Sequence, residues 1–364
     1  MIERPLLERY GWSDQFATAF EEKFARSGFI PGRVVLQQRG SYTVITEDGP
    51  ISARPTGRLL HEADDIGQPC VGDWVAILID EQAGIGTVQA ILPRKSALVR
   101  RAIEDASRAA QIIAANVDVA FIVTSLNAEM NARRIQRYLA AVRQSGARPV
   151  VVLTKADLVE EAKAQIAEIE QLDSGIAVVT VSARTGAGLD DFLSHVQLGE
   201  TCVLIGSSGV GKSTLVNTLL DEERMVTREV RVADDQGRHT TSHRELIVLP
   251  SGGMLIDTPG IREVGLLDAE EGVAEVFDDV EVLMTQCKFS NCSHVSEPGC
   301  AVQGAIKSGE LTEDRWTHFV QLRLEMTEAK DKVDRVAQAT EKRRLVASQK
   351  NYRATKRNYR GSKD

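Results

Sequence analysis

The hydrophobic rhythm of the chain changes several times. Phe16, Phe20 and Phe24 recur at i, i+4 and i+8, which puts three rings on one face of a helix over 13–27 and predicts packing rather than chemistry. From residue 30 to 94 the apolar runs become short and β-rich: Val34-Val35-Leu36, Tyr42-Thr43-Val44-Ile45, Ile51-Ser52-Ala53, Trp74-Val75-Ala76-Ile77-Leu78 and Gly86-Thr87-Val88-Gln89-Ala90-Ile91. Turn signals at Arg39-Gly40, Asp48-Gly49-Pro50 and Gly84 separate them. Five such strands predict a small barrel, most simply of OB type. Its aromatic residues are Tyr42 and Trp74. A barrel with no exposed stacking platform therefore fits as well as an RNA reader, and the fold alone does not decide.

Residues 95–116 read as a basic-to-amphipathic connector, with Arg94-Lys95 and then Arg100-Arg101. Strand 117–124 then opens an alternation. A helix near 131–144, strand 149–153, helix 158–171, strand 177–181 and helix 189–196 follow it. Strand 202–205, a helix over 215–220 and strands 245–249 and 254–256 complete it. That alternation predicts a doubly wound α/β sheet. Past 275 the pattern breaks into a cysteine-rich loop over 287–300 and a helix with Trp316, Phe319, Val320 and Leu324 on one face. The expected units are an N-terminal helical extension (1–30), the barrel (31–94), the connector (95–116), the α/β domain (117–275), a C-terminal helical domain (276–330) and a tail (331–364).

Composition adds a compartment and a partner. The 364 residues are 43% hydrophobic and 26% charged, ordinary for a soluble protein. No apolar stretch is long enough to span a membrane, and Met1-Ile2-Glu3-Arg4-Pro5 lacks the core of a signal peptide. A cytoplasmic protein is expected, with its five cysteines reduced, so that a cysteine cluster points to metal. The net charge of −8 hides an asymmetry. Residues 330–364 hold 12 Lys+Arg and 4 Asp+Glu, a net of +8 against −16 for the remainder. A basic tail on an acidic body predicts a polyanionic partner met through one end.

The candidate chemistry centres on Gly206-Ser207-Ser208-Gly209-Val210-Gly211-Lys212-Ser213-Thr214, which fits G-x-x-x-x-G-K-[ST] between a strand and a helix. Its glycines let successive N–H groups point at one phosphate. Lys212 supplies charge for the β- and γ-phosphates, Ser213 a hydroxyl for magnesium, and the helix N-terminus a partial positive charge. Asp257-Thr258-Pro259-Gly260 ends strand 254–256. There Asp257 can hold magnesium through water and Gly260 can offer its N–H to a γ-phosphate. Thr154-Lys155-Ala156-Asp157 has the [N/T]-K-x-D form of a guanine-reading loop. The Asp157 carboxylate can accept from N1–H and N2–H₂ of guanine, a donor pair adenine lacks, so a P-loop ATPase or kinase is disfavoured. Thr154 in place of asparagine removes one amide from the bracing of that loop. Ser182-Ala183 can give a backbone N–H to guanine O6.

The base-reading loop precedes the phosphate loop, the reverse of most GTPases, so the domain is expected to be circularly permuted. Between the phosphate loop and Asp257 lies Gly237-Arg238-His239-Thr240-Thr241-Ser242-His243, rich in γ-phosphate and magnesium ligands, where a switch loop belongs. Ile261 stands where Ras-like enzymes carry the glutamine that orients water, so slow intrinsic hydrolysis is expected. Cys287, Cys292, His294 and Cys300 form C-x₄-C-x-H-x₅-C, three thiolates and an imidazole suited to one closed, structural zinc site. Cys70 and Cys202 lie far from it and read as core thiols.

Together the barrel, Gln111-Ile112-Ile113-Ala114-Ala115-Asn116-Val117-Asp118, the T-K-A-D, G-S-S-G-V-G-K-S-T, G-R-H-T-T and D-T-P-G motifs and the cysteine cluster resemble the circularly permuted bacterial GTPases that depend on the small ribosomal subunit. The resemblance spans roughly residues 31–330. It implies an OB-type barrel, a permuted P-loop GTPase domain and a zinc-binding C-terminal domain. It further implies GTP hydrolysis stimulated by the small ribosomal subunit during late maturation, and a water-positioning role for His239. The expected partners are that subunit with its rRNA, and GTP or GDP with magnesium; a monomer with no membrane contact is expected. A different class of function, an rRNA-binding scaffold in which nucleotide only stabilises the fold, is the competing reading. Tyr352 and Tyr359 in the tail are candidates for stacking on unpaired bases.

Overall fold

The structure is a computed structural model that describes residues 5–38, 40–62, 67–101, 110–126, 131–173, 175–220, 244–257 and 270–327. Strands β1 (Ile30–Gln38), β2 (Ser41–Thr46), β3 (Gly49–Pro55), β4 (Trp74–Asp80) and β5 (Ile85–Ile91) close in the order β1-β2-β3-β5-β4-β1. The β3–β5 pair is parallel and the other neighbours antiparallel. This is the expected five-stranded barrel. Val34, Val44, Ala53, Val75, Ile77 and Val88 fill it, as the strand period of two directs. Tyr42 and Trp74 are both buried, so neither offers a stacking face. Helices α1 (Leu6–Arg9), α2 (Asp14–Phe24) and α3 (Gly57–Glu62) accompany these strands, and α2 covers the barrel from outside: the rings of Trp12 and Phe16 lie 4.7 and 5.7 Å from that of Trp74. The phenylalanine stripe is thus packing, as its spacing predicted.

Two features tie the barrel to the rest of the chain. Residues Ile30–Arg33 of β1 pair with β4, whereas Leu36 and Gln37 pair with Glu245 and Arg244. An irregularity between Val34 and Leu36 marks the change, in the way a bulge bends and re-aims a strand. Arg33, 2% exposed, donates to Tyr10 O, to Gly72 O at 3.4 Å and to Thr201 Oγ1 at 2.7 Å. It therefore bonds the N-terminal segment, the barrel and the α/β domain at once. Burial pushes its guanidinium down to about 10, opposed by Asp118 and Asp73.

The segment read as a connector is in part a ribbon, β6 (Ala97–Arg101) against β7 (Ala110–Ala115). Leu98, Ile112 and Ile113 are buried, so apolar burial, more than its basic residues, organises this stretch. Beyond it come β8 (Val119–Ser125), α4 (Ala132–Gln144), β9 (Arg148–Thr154), α5 (Lys163–Leu172), β10 (Ala177–Thr180), α6 (Leu189–Ser194), β11 (Thr201–Ile205), α7 (Lys212–Leu220), β12 (Arg244–Val248) and β13 (Met254–Asp257). Their spatial order is β10-β9-β8-β11-β13-β12, parallel except for β12. From β8 the chain runs outward to β9 and β10; from β11 it crosses to the other side, to β12, and returns to β13 between β11 and β12. The crevice beyond the carboxyl ends of the neighbours β8 and β11 is a topological switch point, where open α/β sheets bind ligands.

The C-terminal region comprises α8 (Glu270–Val276), α9 (Asp278–Thr285), α10 (Ala301–Ser308) and α11 (313–327). Of these, α8 and α11 dock on α4. A Cβ at Gly272 would lie 2.1 Å from Ala140 O, so only glycine permits that approach. On α11 the buried side chains are His318, Phe319, Leu322 and Met326, whereas Leu324 is 59% exposed. The apolar face is therefore rotated from the expected one, because it follows α4 and the cysteine-rich loop. Among the described residues no helix is long and apolar enough to cross a membrane.

Candidate nucleotide site and metal centre

Strand β11 is buried throughout and delivers the phosphate loop to the switch point. Gly206 turns the chain there; a Cβ on it would lie 2.3 Å from Val123 O. Lys212 opens α7 and its Nζ donates to Gly206 O at 2.8 Å and Ser207 O at 2.7 Å. The loop's own carbonyls thus hold the ammonium against the loop that is to receive phosphate. The first turn of α7, with Ser213 and Thr214, directs backbone N–H groups and partial positive charge the same way.

The base-reading loop lies alongside. Thr154, at the end of β9, points its hydroxyl at Thr124 O (3.0 Å) and at Val210 O in the phosphate loop. The missing asparagine amide is therefore replaced by a hydroxyl that bridges the two loops. Lys155 takes a left-handed conformation (φ 60°), turning the chain into the single 3₁₀ turn Ala156–Leu158. This turn delays α5 relative to the expected start. Ala156 N donates to Val181 O at 3.1 Å, and Ser182 Oγ donates to Asp157 Oδ1 at 2.7 Å. Thr218 of α7 donates to Ala183 O at 3.1 Å. Asp157 itself is exposed, its carboxylate oriented by Ser182 yet open to a ligand. Asp257 is half-buried at the end of β13, which pairs with β11 through Val203 and Ile256. Thr154, Asp157, Ser182, Lys212 and Asp257 thus meet at one edge of the sheet although the chain visits them in permuted order. His239, Thr240, Thr241, Gly260 and Ile261 lie outside the described residues.

One residue at this edge went unread in the sequence. Arg134, in the first turn of α4, donates from its guanidinium to Ser207 Oγ at 2.7 Å. The available signal was the pair Arg133-Arg134 just after the Asn131 cap, at the carboxyl end of the strand beside the phosphate loop.

The Cys287, Cys292, His294 and Cys300 ligand atoms all lie within 4.8 Å of one another. Cys287 Sγ is 3.9 Å from Cys300 Sγ and 3.5 Å from His294 Nδ1, and Cys300 Sγ is 3.6 Å from the same nitrogen. A tetrahedral zinc with bonds of about 2.3 Å to sulfur has ligand–ligand edges of about 3.8 Å, so the donor set fits that ion. His294 is held in place by its backbone, with φ at 60° and its carbonyl accepting from Gln303 Nε2 at 2.8 Å. Glu297 accepts from Ser293 N and Oγ, Val295 N and Ser296 N, bracing the loop. These bonds, the Ser293 hydroxyl foremost, hold its carboxyl down to about 2. Cys70 and Cys202 are buried elsewhere, and burial pushes both thiols up.

A phosphate loop and a guanine-type loop on one sheet edge, visited in this order, define a circularly permuted P-loop GTPase. Over residues 91–267 the chain matches the RsgA GTPase family. A second match, to ABC transporters over 189–350, includes the phosphate loop that many nucleotide-binding families share. The chain is 43% identical over 361 residues to the small ribosomal subunit biogenesis GTPase RsgA of Opitutus terrae, covering 96% of this chain and 98% of that protein. Against the protein of the same name from Streptomyces coelicolor it is 45% identical over 336 residues, covering 92% and 90%. Among solved structures, YjeQ from Thermotoga maritima matches with a TM-score of 0.61 at 28% identity, covering 82% of this chain and 99% of that one. YloQ, described as a circularly permuted GTPase, matches at 0.58 and 28%, covering 85% and 97%. The chain belongs to the RsgA family of small ribosomal subunit biogenesis GTPases.

Proposed function

We propose that the protein hydrolyses GTP to GDP and phosphate, stimulated by the small ribosomal subunit, at a late stage of that subunit's maturation in the cytoplasm. The observation that carries the reading is the Thr154–Val210 contact beside the Ser182–Asp157 bond, which makes one guanine-nucleotide site of two separately encoded loops. In that site Asp157 reads the base and Ser182-Ala183 close over its O6. Lys155 covers its face with an aliphatic stem. Residues 206–214 hold the phosphates, Ser213 binds magnesium and Asp257 holds it through water. Lys212 stabilises charge on the β- and γ-phosphates. His239, Thr240, Thr241 and Gly260 take their roles from the resemblance: His239 positions the attacking water, the threonines contact phosphate and magnesium, and Gly260 meets the γ-phosphate.

Zinc at Cys287, Cys292, His294 and Cys300 is structural, because four protein ligands leave no open position. Residues 331–364, outside the described residues, supply electrostatic affinity for rRNA. The protein acts as a monomer.

GTP turnover with and without purified small subunits tests this reading. A large stimulation supports it. Negligible turnover under both conditions supports the scaffold reading instead; only in that case does Ile261, in the place of the water-orienting glutamine, favour it.

A further inference from the structure

Helix α4 carries four arginines, at 133, 134, 137 and 143. Three of them end on carboxylates: Arg133 on Asp314, Arg137 on Glu325 at 2.7 Å, and Arg143 on Asp173 and Glu275. Arg134 does not share this arrangement among the described residues. Its side chain donates to Ser207 Oγ at 2.7 Å, and its backbone N–H is taken by the Asn131 cap at 2.9 Å. Ser207 is also the residue whose carbonyl receives Lys212 Nζ. A second cation is therefore docked on the phosphate loop, at the residue that orients the first.

A guanidinium offers five donors in a planar fork and is the side chain best matched to phosphate oxygens. We propose that Arg134 is a positioning residue for the phosphate chain of the nucleotide. It fixes the first turn of the phosphate loop through Ser207 and adds positive charge beside Lys212. The site then favours the nucleotide with more phosphate charge, GTP over GDP. The proposal rests on the GTP-binding reading of the site and names a further determinant within it. Arg134 is exposed, so solvent screens its charge and the effect is modest.

Affinities for magnesium–GTP, magnesium–GDP and guanosine, measured by titration calorimetry, test the proposal on full-length wild type, Arg134→Gln, Arg134→Lys and Arg133→Gln. Arg134→Gln is expected to lose about three- to tenfold for GTP, less for GDP and nothing for guanosine, the scale of a screened charge pair. Arg134→Lys keeps the charge and restores the GTP-to-GDP ratio. Arg133→Gln, whose wild-type partner is Asp314, leaves the ratio unchanged. Equal losses for all three ligands would reduce Arg134 to a packing contact and overturn the proposal. So would no loss in Arg134→Gln, a lysine variant no better than glutamine, or an equal shift in Arg133→Gln. A wild type that binds no guanine nucleotide would sink the reading of the site, and the proposal with it. Wild-type binding with an unaltered ratio in Arg134→Gln would sink the proposal alone.

Discussion

The hydroxyl of Thr154 reaches the carbonyl of Val210, so the loop after β9 is joined to the glycine-rich loop after β11 by one buried side chain. Thr154→Val keeps the shape and removes the donor, leaving Thr124 O and Val210 O without it. Unpaired buried acceptors cost about 1–3 kcal/mol. The valine variant is expected to lose stability on that scale in urea unfolding and to bind GTP more weakly. Thr154→Ser, which retains the hydroxyl, should stay close to wild type. A valine variant as stable and as tight as wild type would remove the bridge from the account.

Arg33 joins three parts of the chain, and the N-terminal segment hangs on it through Tyr10 O. Arg33→Met fills the space but donates nothing. Loss of protection over residues 5–27 in hydrogen exchange is expected, ahead of any loss in the β8–β11 core. Uniform protection in the variant would show that aromatic packing on Trp74 and the bonds from Leu6 N and Leu7 N to the Glu47 carboxylate hold the segment without Arg33.

His318 of α11 is buried against α4, its Nδ1 paired with Gln136 Oε1. Burial, and then the charge of Arg133, hold its imidazole down to about 4. Arg137 and Arg315 add to this and Asp314 opposes it. In the unfolded chain the group titrates at about 6.5. Between these values the unfolded state binds the extra proton, so its contribution is complete above about pH 6.5 and is lost as pH falls toward 4. The urea midpoint should drop from pH 7 to pH 5, and the drop should be smaller in His318→Gln. Equal drops in both proteins would place the pH sensitivity elsewhere.

Zinc removal should act locally, because the four ligands share no residue with the nucleotide site. A chelator, or Cys292→Ser, is expected to release protection over 287–327, since metal binding and local folding are coupled. Intrinsic GTP binding should change by less than about twofold, well under 1 kcal/mol. Full protection of 287–327 in a protein shown to be metal-free would contradict the structural role.

Much of this was legible in the sequence where one residue type admits few explanations. Lys212 after two spaced glycines and three cysteines with His294 in fourteen residues are such cases, and the strands β8 to β13 follow from apolar runs of the right length. The rest depends on backbone or on distant partners. The pairing of Leu36 with Glu245 is made by main-chain groups at two strand edges, which side-chain patterning does not record. Thr154 reads as a lost amide until its hydroxyl is seen against Val210. The face of α11 is set by α4, so Leu324 satisfies the helical period yet faces solvent. Arg134 looks like a solvated helix charge until the phosphate loop is placed beside it.

On the proposed function, Asp157, oriented by Ser182, selects guanine in the nucleotide that is hydrolysed. Asp157→Asn exchanges an acceptor for an amide that can donate to the additional carbonyl of xanthine. Turnover of GTP and XTP by wild type and Asp157→Asn, with small subunits present, is the most direct measurement. Wild type should hydrolyse GTP and leave XTP, and the variant should hydrolyse XTP and leave GTP. A variant that turns over GTP at the wild-type rate and ignores XTP would contradict the assignment of the base-reading loop, and with it the account of this site.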